Sequence, residues 1–304
     1  MRIIEPKVEL IMQQPGIEGM YKNIELAGRA CYASQHHIGE DTAKPFAEML
    51  KRRGHTSCLE HGAVYLQMPY SKGWYNLFRR NPYSRVFWLK ETGSLFISTN
   101  YRVLYENEIE DLLYFAVEPS GYHTMRITAR FYCQIAISRE FNRHRVDSIA
   151  EQSTRYCSYD KERFGGEIKI CLPEWLKDSE IEINERKEKL HNANINNALF
   201  RKYCTLIATL SDGNMDAIDY WLFANLAAEY SYMKLKELGW KAEQARTVLP
   251  LDTATDLVHT AFLDDWLHFF DLRCDKDHAH PDAYRLATDL RQQFIDNNII
   301  TLKK

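Results

Sequence analysis

Thirteen residues in the middle of the chain, Arg143-His144-Arg145-Val146-Asp147-Ser148-Ile149-Ala150-Glu151-Gln152-Ser153-Thr154-Arg155, gather four cations or potential cations and three hydroxyls against two acids. Guanidiniums supply charge-assisted donors in planar forks and a hydroxyl adds a neutral donor, the set that phosphate or pyrophosphate takes. The competing reading is a solvated basic turn whose cations pair with Glu140 and Glu151, and charge alone leaves the two level. Arg246 and Arg273 add cations beside apolar or aromatic segments, which suits a planar anionic ligand that is both stacked and charge-paired. Taken singly, each arginine reads as a surface ion pair. His55 and Ser57 lie in a loop that enters a strand, where Ser57 can donate to a ligand oxygen, whereas His55 and His61 by themselves read as structural histidines.

Other chemistries find less support. Cys274, His278 and His280 match no zinc-finger or catalytic zinc spacing, so no metal is expected. There is no Gly-x-Gly-x-x-Gly and no Gly-x-x-x-x-Gly-Lys, so any nucleotide is held without a Rossmann turn or a P-loop. The 39 Lys plus Arg against 42 Asp plus Glu give a formal net charge of -3, which makes the basic cluster local and disfavours a nucleic-acid partner. No apolar run approaches the roughly 20 residues of a membrane span, and the first residues lack a signal-peptide core, so no membrane partner and a cytoplasmic location are expected. The seven cysteines are scattered without a Cys-x-x-Cys, as reduced core thiols are.

The elements that must position these residues follow from pattern. Residues 17 to 31 and 41 to 53 read as helices, the second stopped by Gly54 in a left-handed cap. Ala63 to Met68 reads as a strand. Met125, Ile127, Ala129, Phe131, Cys133 and Ile135 alternate with polar neighbours, the period of a long half-buried strand. Ser138 is placed to cap a helix carrying Arg139 to His144, with further turns continuing into Ser153. Between the two strands lie nearly sixty residues rich in Tyr, Asn and Arg, about 69 to 121, a lid or an inserted elaboration of the fold, with helices expected near 71 to 81 and 98 to 117. A short strand is expected at 167 to 171. Two long helices follow, one with Leu199, Tyr203, Leu206 and Leu210 on a face and one with Leu222, Leu226, Tyr230 and Met233, stopping at Gly239. Trp266, Phe269, Phe270 and Arg273 share one face of a later helix, so Arg273 ends an aromatic stripe. With 304 residues and 45% hydrophobic content, a single α+β domain over 1–304 is expected, with a mixed or antiparallel sheet flanked by long helices.

Arg-His-Arg-x7-Ser resembles the signature of the flavin-dependent thymidylate synthases, also called the thymidylate synthase complementing protein family. The resemblance extends over four ordered blocks from 54 to 273. Gly54-His55-Thr56-Ser57 through Glu60-His61 is similar to the family's Gly-His-x-Ser/Thr-x-x-Glu-His loop. Glu151-x-Ser153-x-Arg155-Tyr156 is similar to its Glu-x-Ser-x-Arg-Tyr, Ala245-Arg246 through Leu249-Pro250 to its Ala-Arg-x-x-Leu-Pro, and Leu272-Arg273 to the Leu-Arg that closes its active-site helix.

The resemblance implies a methyltransferase that converts dUMP to dTMP, with methylenetetrahydrofolate as carbon donor, FAD as relay and NADPH as reductant. It implies that His55, Ser57, Arg143, His144, Arg145 and Glu151 contact FAD, with His268 at the place of a flavin-contacting Asn. It assigns Glu140, Arg143, Glu151, Gln152, Ser153, Thr154, Arg155, Arg246 and Arg273 to the nucleotide. Arg273 would activate the pyrimidine, and Ser153 would act as a hydrogen-bond donor, because no His-Asp pair is evident to make it a nucleophile. A homotetramer with active sites at subunit interfaces is implied as well. Four departures stand out: Glu140 where many members have Gln, His268 in place of the flavin-contacting Asn, and Phe262 and Asp264 where some have Asn and Arg. The alternative is a flavin- and folate-dependent hydroxymethylase, or a methylase of another pyrimidine deoxynucleotide such as dCMP.

Overall fold

A computed structural model of the chain describes residues 1–161, 166–192, 213 and 215–301. In chain order the elements are β1 (Arg2–Ile4), β2 (Lys7–Ile11), α1 (Gly16–Cys31), α2 (Ala43–Arg52), β3 (Ala63–Pro69), α3 (Lys72–Arg80), β4 (Arg85–Leu89), β5 (Ser94–Asn100), α4 (Tyr101–Glu106), β6 (Arg126–Gln134), α5 (Ile135–Phe141), β7 (Ser148–Glu151), β8 (Lys169–Cys171), α6 (Glu180–Asn192), α7 (Ala217–Glu237), α8 (Ala242–Ala245), β9 (Ala254–Phe262), α9 (Leu263–Arg273) and α10 (Pro281–Asp296). The class is α+β, as the sequence indicates. The helix expected around Leu199, Tyr203, Leu206 and Leu210 lies outside the described residues.

The chain divides into two compact units, one made of Met1–Pro6, Cys133–Ser138 and Ser153–Thr255, the other of Lys7–Tyr132, Arg139–Gln152 and Asp256–Lys304. In the larger unit, a four-stranded sheet has the order β2-β6-β9-β7, with β2 antiparallel to β6 and β7 antiparallel to β9. A three-stranded antiparallel sheet has the order β3-β5-β4. Helix α1 buries Met20, Ile24 and Ala27, an i, i+4, i+7 stripe, and α2 ends where Gly54 takes a φ of +69° that a Cβ would strain.

Strand β6 is more deeply buried than its alternation suggests. Ile127, Ala129 and Phe131 are buried as expected, but so are Arg126 and Thr128 on the opposite face. The reason is that α1 covers the polar side. Asn23 Nδ2 donates to Thr128 Oγ1 at 2.9 Å, and Thr128 shares a 2.8 Å hydrogen bond with Thr260 on β9. Alternation reports chemical type, and here Thr128 is satisfied inside the protein while Arg126 Nη2 donates to Glu60 O and Ser148 Oγ.

The insertion holds two strands that the expected helices overlooked. Its first helix is present as α3, but residues 98 to 100 belong to β5, whose Leu95 to Asn100 are all buried. Helix α4 starts only at Tyr101, where the Asn100 side chain accepts from Val103 N at 3.1 Å and caps it. The helix expected to carry Arg139 to His144 also differs. It starts at Ile135 and stops at Phe141, the arginines follow in a turn, and Ser148–Glu151 is strand β7 rather than further helix. Pairing with β9, Ile149 opposite His259, competes successfully with helix there.

In the smaller unit, β1 and β8 pair in parallel, β8 within the 167 to 171 span expected. Asp216 caps α7 by accepting from Ile218 N at 2.9 Å and Asp219 N at 3.1 Å. The buried positions of α7 are Leu222, Asn225 and Tyr232, a stripe turned from the 222–226–230–233 face read in the sequence. The polar Asn225 lies inside because its Nδ2 donates to Trp221 O at 2.9 Å, an outlet that periodicity does not register.

Candidate active site

In the larger unit, α9 presents Arg273 from its last turn. Its Nη1 donates to Glu140 Oε2 at 2.6 Å and its Nη2 to the Glu140 main-chain oxygen at 2.8 Å. Its Nε points at His144 Nε2 at 3.4 Å. The guanidinium is thereby oriented from three sides. Burial first, and then the neighbouring His259 and Arg273, lower the His144 pKa to about 4, so the ring is neutral near pH 7 and accepts from Arg273. That ring sits 5.0 Å from Phe269 and 6.3 Å from the exposed His268.

The turn after α5 exposes Arg143 and Arg145, and among the described residues neither guanidinium is in an ion pair. The pairing with Glu140 and Glu151 that the solvated-turn reading invoked is not made by these two side chains among the described residues. Glu140 is taken by Arg273, and Glu151 accepts from Asn142 Nδ2 at 3.3 Å, so the cations are not neutralised in the way a simple solvated turn required. Gln152 is fixed through its main chain, N to Asp256 O at 2.8 Å.

His55 and Ser57 lie, exposed, at the start of the 3-10 turn Thr56–His61. His55 Nδ1 is hydrogen-bonded to Tyr32 OH, just beyond the end of α1. His61 is fully buried, with Nδ1 2.8 Å from Thr260 Oγ1, and is structural as its isolated reading indicated. Burial lowers its pKa to about 3.

Within the smaller unit, Arg246 Nη1 donates to Thr154 Oγ1 at 3.1 Å, which joins two blocks 92 residues apart. Ser153 Oγ accepts from Arg155 N at 3.3 Å, and the exposed Arg155 guanidinium lies 5.6 Å from the Tyr156 ring. Cys157 is fully buried, which is unfavourable for a thiol nucleophile.

Several residues went unread in the sequence. Arg85 of the insertion stacks on Phe262 at 4.3 Å and donates to Asp264 at 3.1 Å and to Asp265 at 3.0 Å. Phe262 and Asp264, two of the departures, therefore hold the insertion to the N-terminus of α9. Arg130 binds Asp256 through two hydrogen bonds of 2.9 and 2.7 Å. Asp147 binds His259 at 2.6 Å. The available signal was the charge interrupting apolar β6 and β9. A cavity of about 410 Å³ lined by Met20, Tyr65, Leu113, Val117, Glu118 and Arg126 among others includes none of the residues singled out for ligand binding. The chemistry is better sought at the charged groups than at that cavity.

The family model described as thymidylate synthase complementing protein matches residues 106–297, more than half of the chain. No curated protein matches significantly. Among solved structures, the chain is similar to a UMP/dUMP methylase, PolB, from Streptomyces cacaoi bound with 5-Br dUMP, at 14% identity over 97% of this chain and 93% of that one, with a TM-score of 0.41. The fold is α+β, and the family match defines an enzyme of the methyltransferase class. The chain belongs to the thymidylate synthase complementing protein family.

Proposed function

We propose that the protein catalyses reductive methylation of dUMP at C5 to give dTMP, with methylenetetrahydrofolate as carbon donor and NADPH as reductant, on FAD. Beyond family membership, the observation that carries this reading is the pair of exposed guanidiniums, Arg143 and Arg145, without ion-pair partners among the described residues and on the turn that follows Glu140. Two free cations fit the two charges of a dinucleotide pyrophosphate. When bound, the flavin supplies the redox and one-carbon chemistry. His55, Ser57, His144, Glu151 and His268 complete the residues assigned to it.

The chain's own part is position and field. Arg246 with Thr154, and Ser153 with Arg155, offer hydroxyl and guanidinium donors to the nucleotide, Gln152 adds a polar group, and Glu140 holds Arg273 beside it. Arg273 offers its guanidinium to the pyrimidine carbonyls, where it stabilises negative charge as C5 becomes nucleophilic. Neutral His144 orients that guanidinium without adding a second positive charge. The burial of Cys157 agrees with a route that needs no enzyme thiol. The assembly that goes with this reading is a homotetramer with active sites at subunit interfaces.

The test is mass spectrometry of the nucleotide after incubation with dUMP, methylenetetrahydrofolate, NADPH and FAD. A product heavier by one methylene is expected, and Arg273→Ala should form none while still binding FAD. A hydroxymethylated product, or turnover of dCMP alone, would replace this reading by the alternative.

A further inference from the structure

The basic turn has weak main-chain support. Arg143 N reaches Glu140 O at 3.4 Å and Asp147 N reaches His144 O at 3.3 Å, both beyond the usual N–H···O range, and His144 N reaches Phe141 O at 3.2 Å, its upper edge. Val146 is exposed and, among the described residues, the guanidiniums of Arg143 and Arg145 make no ion pair, so neither fixes the turn. Yet the segment must hold a defined shape if two guanidiniums are to meet two phosphate charges.

At its C-terminal end the situation reverses. Asp147 Oδ2 accepts from His259 Nε2 at 2.6 Å, with the side chains 3% and 0% exposed. His259 cannot follow the turn outward. It belongs to β9, opposite Ile149 of β7, and its ring lies 4.6 Å from that of Trp266. Trp266 is itself fixed by a 2.9 Å hydrogen bond from Nε1 to Ile127 O. The next residue, Ser148, accepts from Arg126 Nη2 at 2.9 Å, and the Asp147 carboxylate is one of the negative charges that offset this buried guanidinium. His259 Nδ1 has no hydrogen-bond partner among the described residues, so losing Asp147 would leave both ring nitrogens unsatisfied in the interior.

We propose that Asp147 and His259 form a buried latch that positions the Arg143–Arg145 turn for its anionic ligand. Both are positioning residues: neither touches the ligand, and each acts through the turn. That the ligand is FAD rests on the proposed function; the latch itself does not.

Two measurements on the full-length protein separate those claims. In ligand-free protein, amide hydrogen exchange over residues 142–148 is expected to rise about tenfold in His259→Phe and in Asp147→Ala, with α2 and α10 unchanged. His259→Gln, which keeps an N–H donor, and Asp147→Asn, which keeps an acceptor oxygen, should retain most of the protection. In FAD titrations, His259→Phe should raise Kd about tenfold, and His259→Gln should restore most of the affinity. The double variant should be no worse than the worse single one, as two halves of one contact require. Unchanged exchange at 142–148 in both disruptive variants would overturn the latch, and so would a fall in thermal stability with FAD Kd intact. If His259→Phe does not fold, the contrast between Asp147→Ala and Asp147→Asn decides by the same criteria. Wild-type protein that binds no FAD would sink the cofactor reading and leave the exchange result to judge the latch.

Discussion

Glu140 grips Arg273 twice, once through its carboxylate at 2.6 Å and once through its main-chain oxygen at 2.8 Å. The side chains are 28% and 15% exposed, so the pair is partly shielded from water. A guanidinium committed to a carboxylate has less charge to offer a pyrimidine. On the proposed function, the residue at 140 would set how much of the Arg273 field reaches the pyrimidine.

Glu140→Gln should release part of that field while keeping the main-chain contact. A partly exposed ion pair contributes about 1 kcal/mol, so dUMP is expected to bind about fivefold tighter. Titration of the flavin absorbance with dUMP measures this. Weaker binding would show that the Glu140 carboxylate itself contacts the nucleotide.

Arg143→Ala and Arg145→Ala should separate binding from stability. Both side chains are exposed and outside any ion pair among the described residues. Thermal unfolding should move by no more than a surface substitution does, about 0.5 kcal/mol either way. FAD affinity should fall about tenfold for each, roughly 1.4 kcal/mol, as followed by flavin fluorescence. Unchanged affinity in both would return the cluster to a solvated turn.

Acid should destabilise the protein before most carboxylates titrate. His61 is held to a pKa of about 3 and His144 to about 4, each chiefly by burial, against 6.5 when unfolded. Between these values the unfolded chain binds more protons than the folded one, so stability rises with pH. It is complete above about 6.5 and is lost as pH falls toward 4. For the fully buried His61 the loss is about 2 kcal/mol by pH 5. Urea unfolding at pH 7.5, 6.5, 5.5 and 4.5 gives the slope, and His61→Asn should flatten it. A wild-type slope near zero between 6.5 and 4.5 would contradict the assignment.

Much of the architecture was legible because its signals are local. Helix α2 and its stop at Gly54, the alternation along β6, and the aromatic face of α9 ending in Arg273 each lie within a dozen or so neighbouring residues. Where several local options compete, the reading failed: residues 98 to 100, expected in a helix, belong to β5, and Ser148–Glu151 left the expected helix for β7. Strand pairing decided both, and pairing depends on a partner that is remote in sequence.

The sequence by itself determined the chemical inventory, the family, and the order of its four motif blocks, since these depend only on residue type and spacing. Tertiary structure alone decided which charges meet. Glu140 and Arg273 are 133 residues apart, Asp147 and His259 112, Arg85 and Asp264 179. A carboxylate is read the same way whether it neutralises an arginine, anchors a turn or faces water. Only distance and burial distinguish these roles, because the strength of a charge pair depends on separation and on the surrounding dielectric, and both are fixed by the fold.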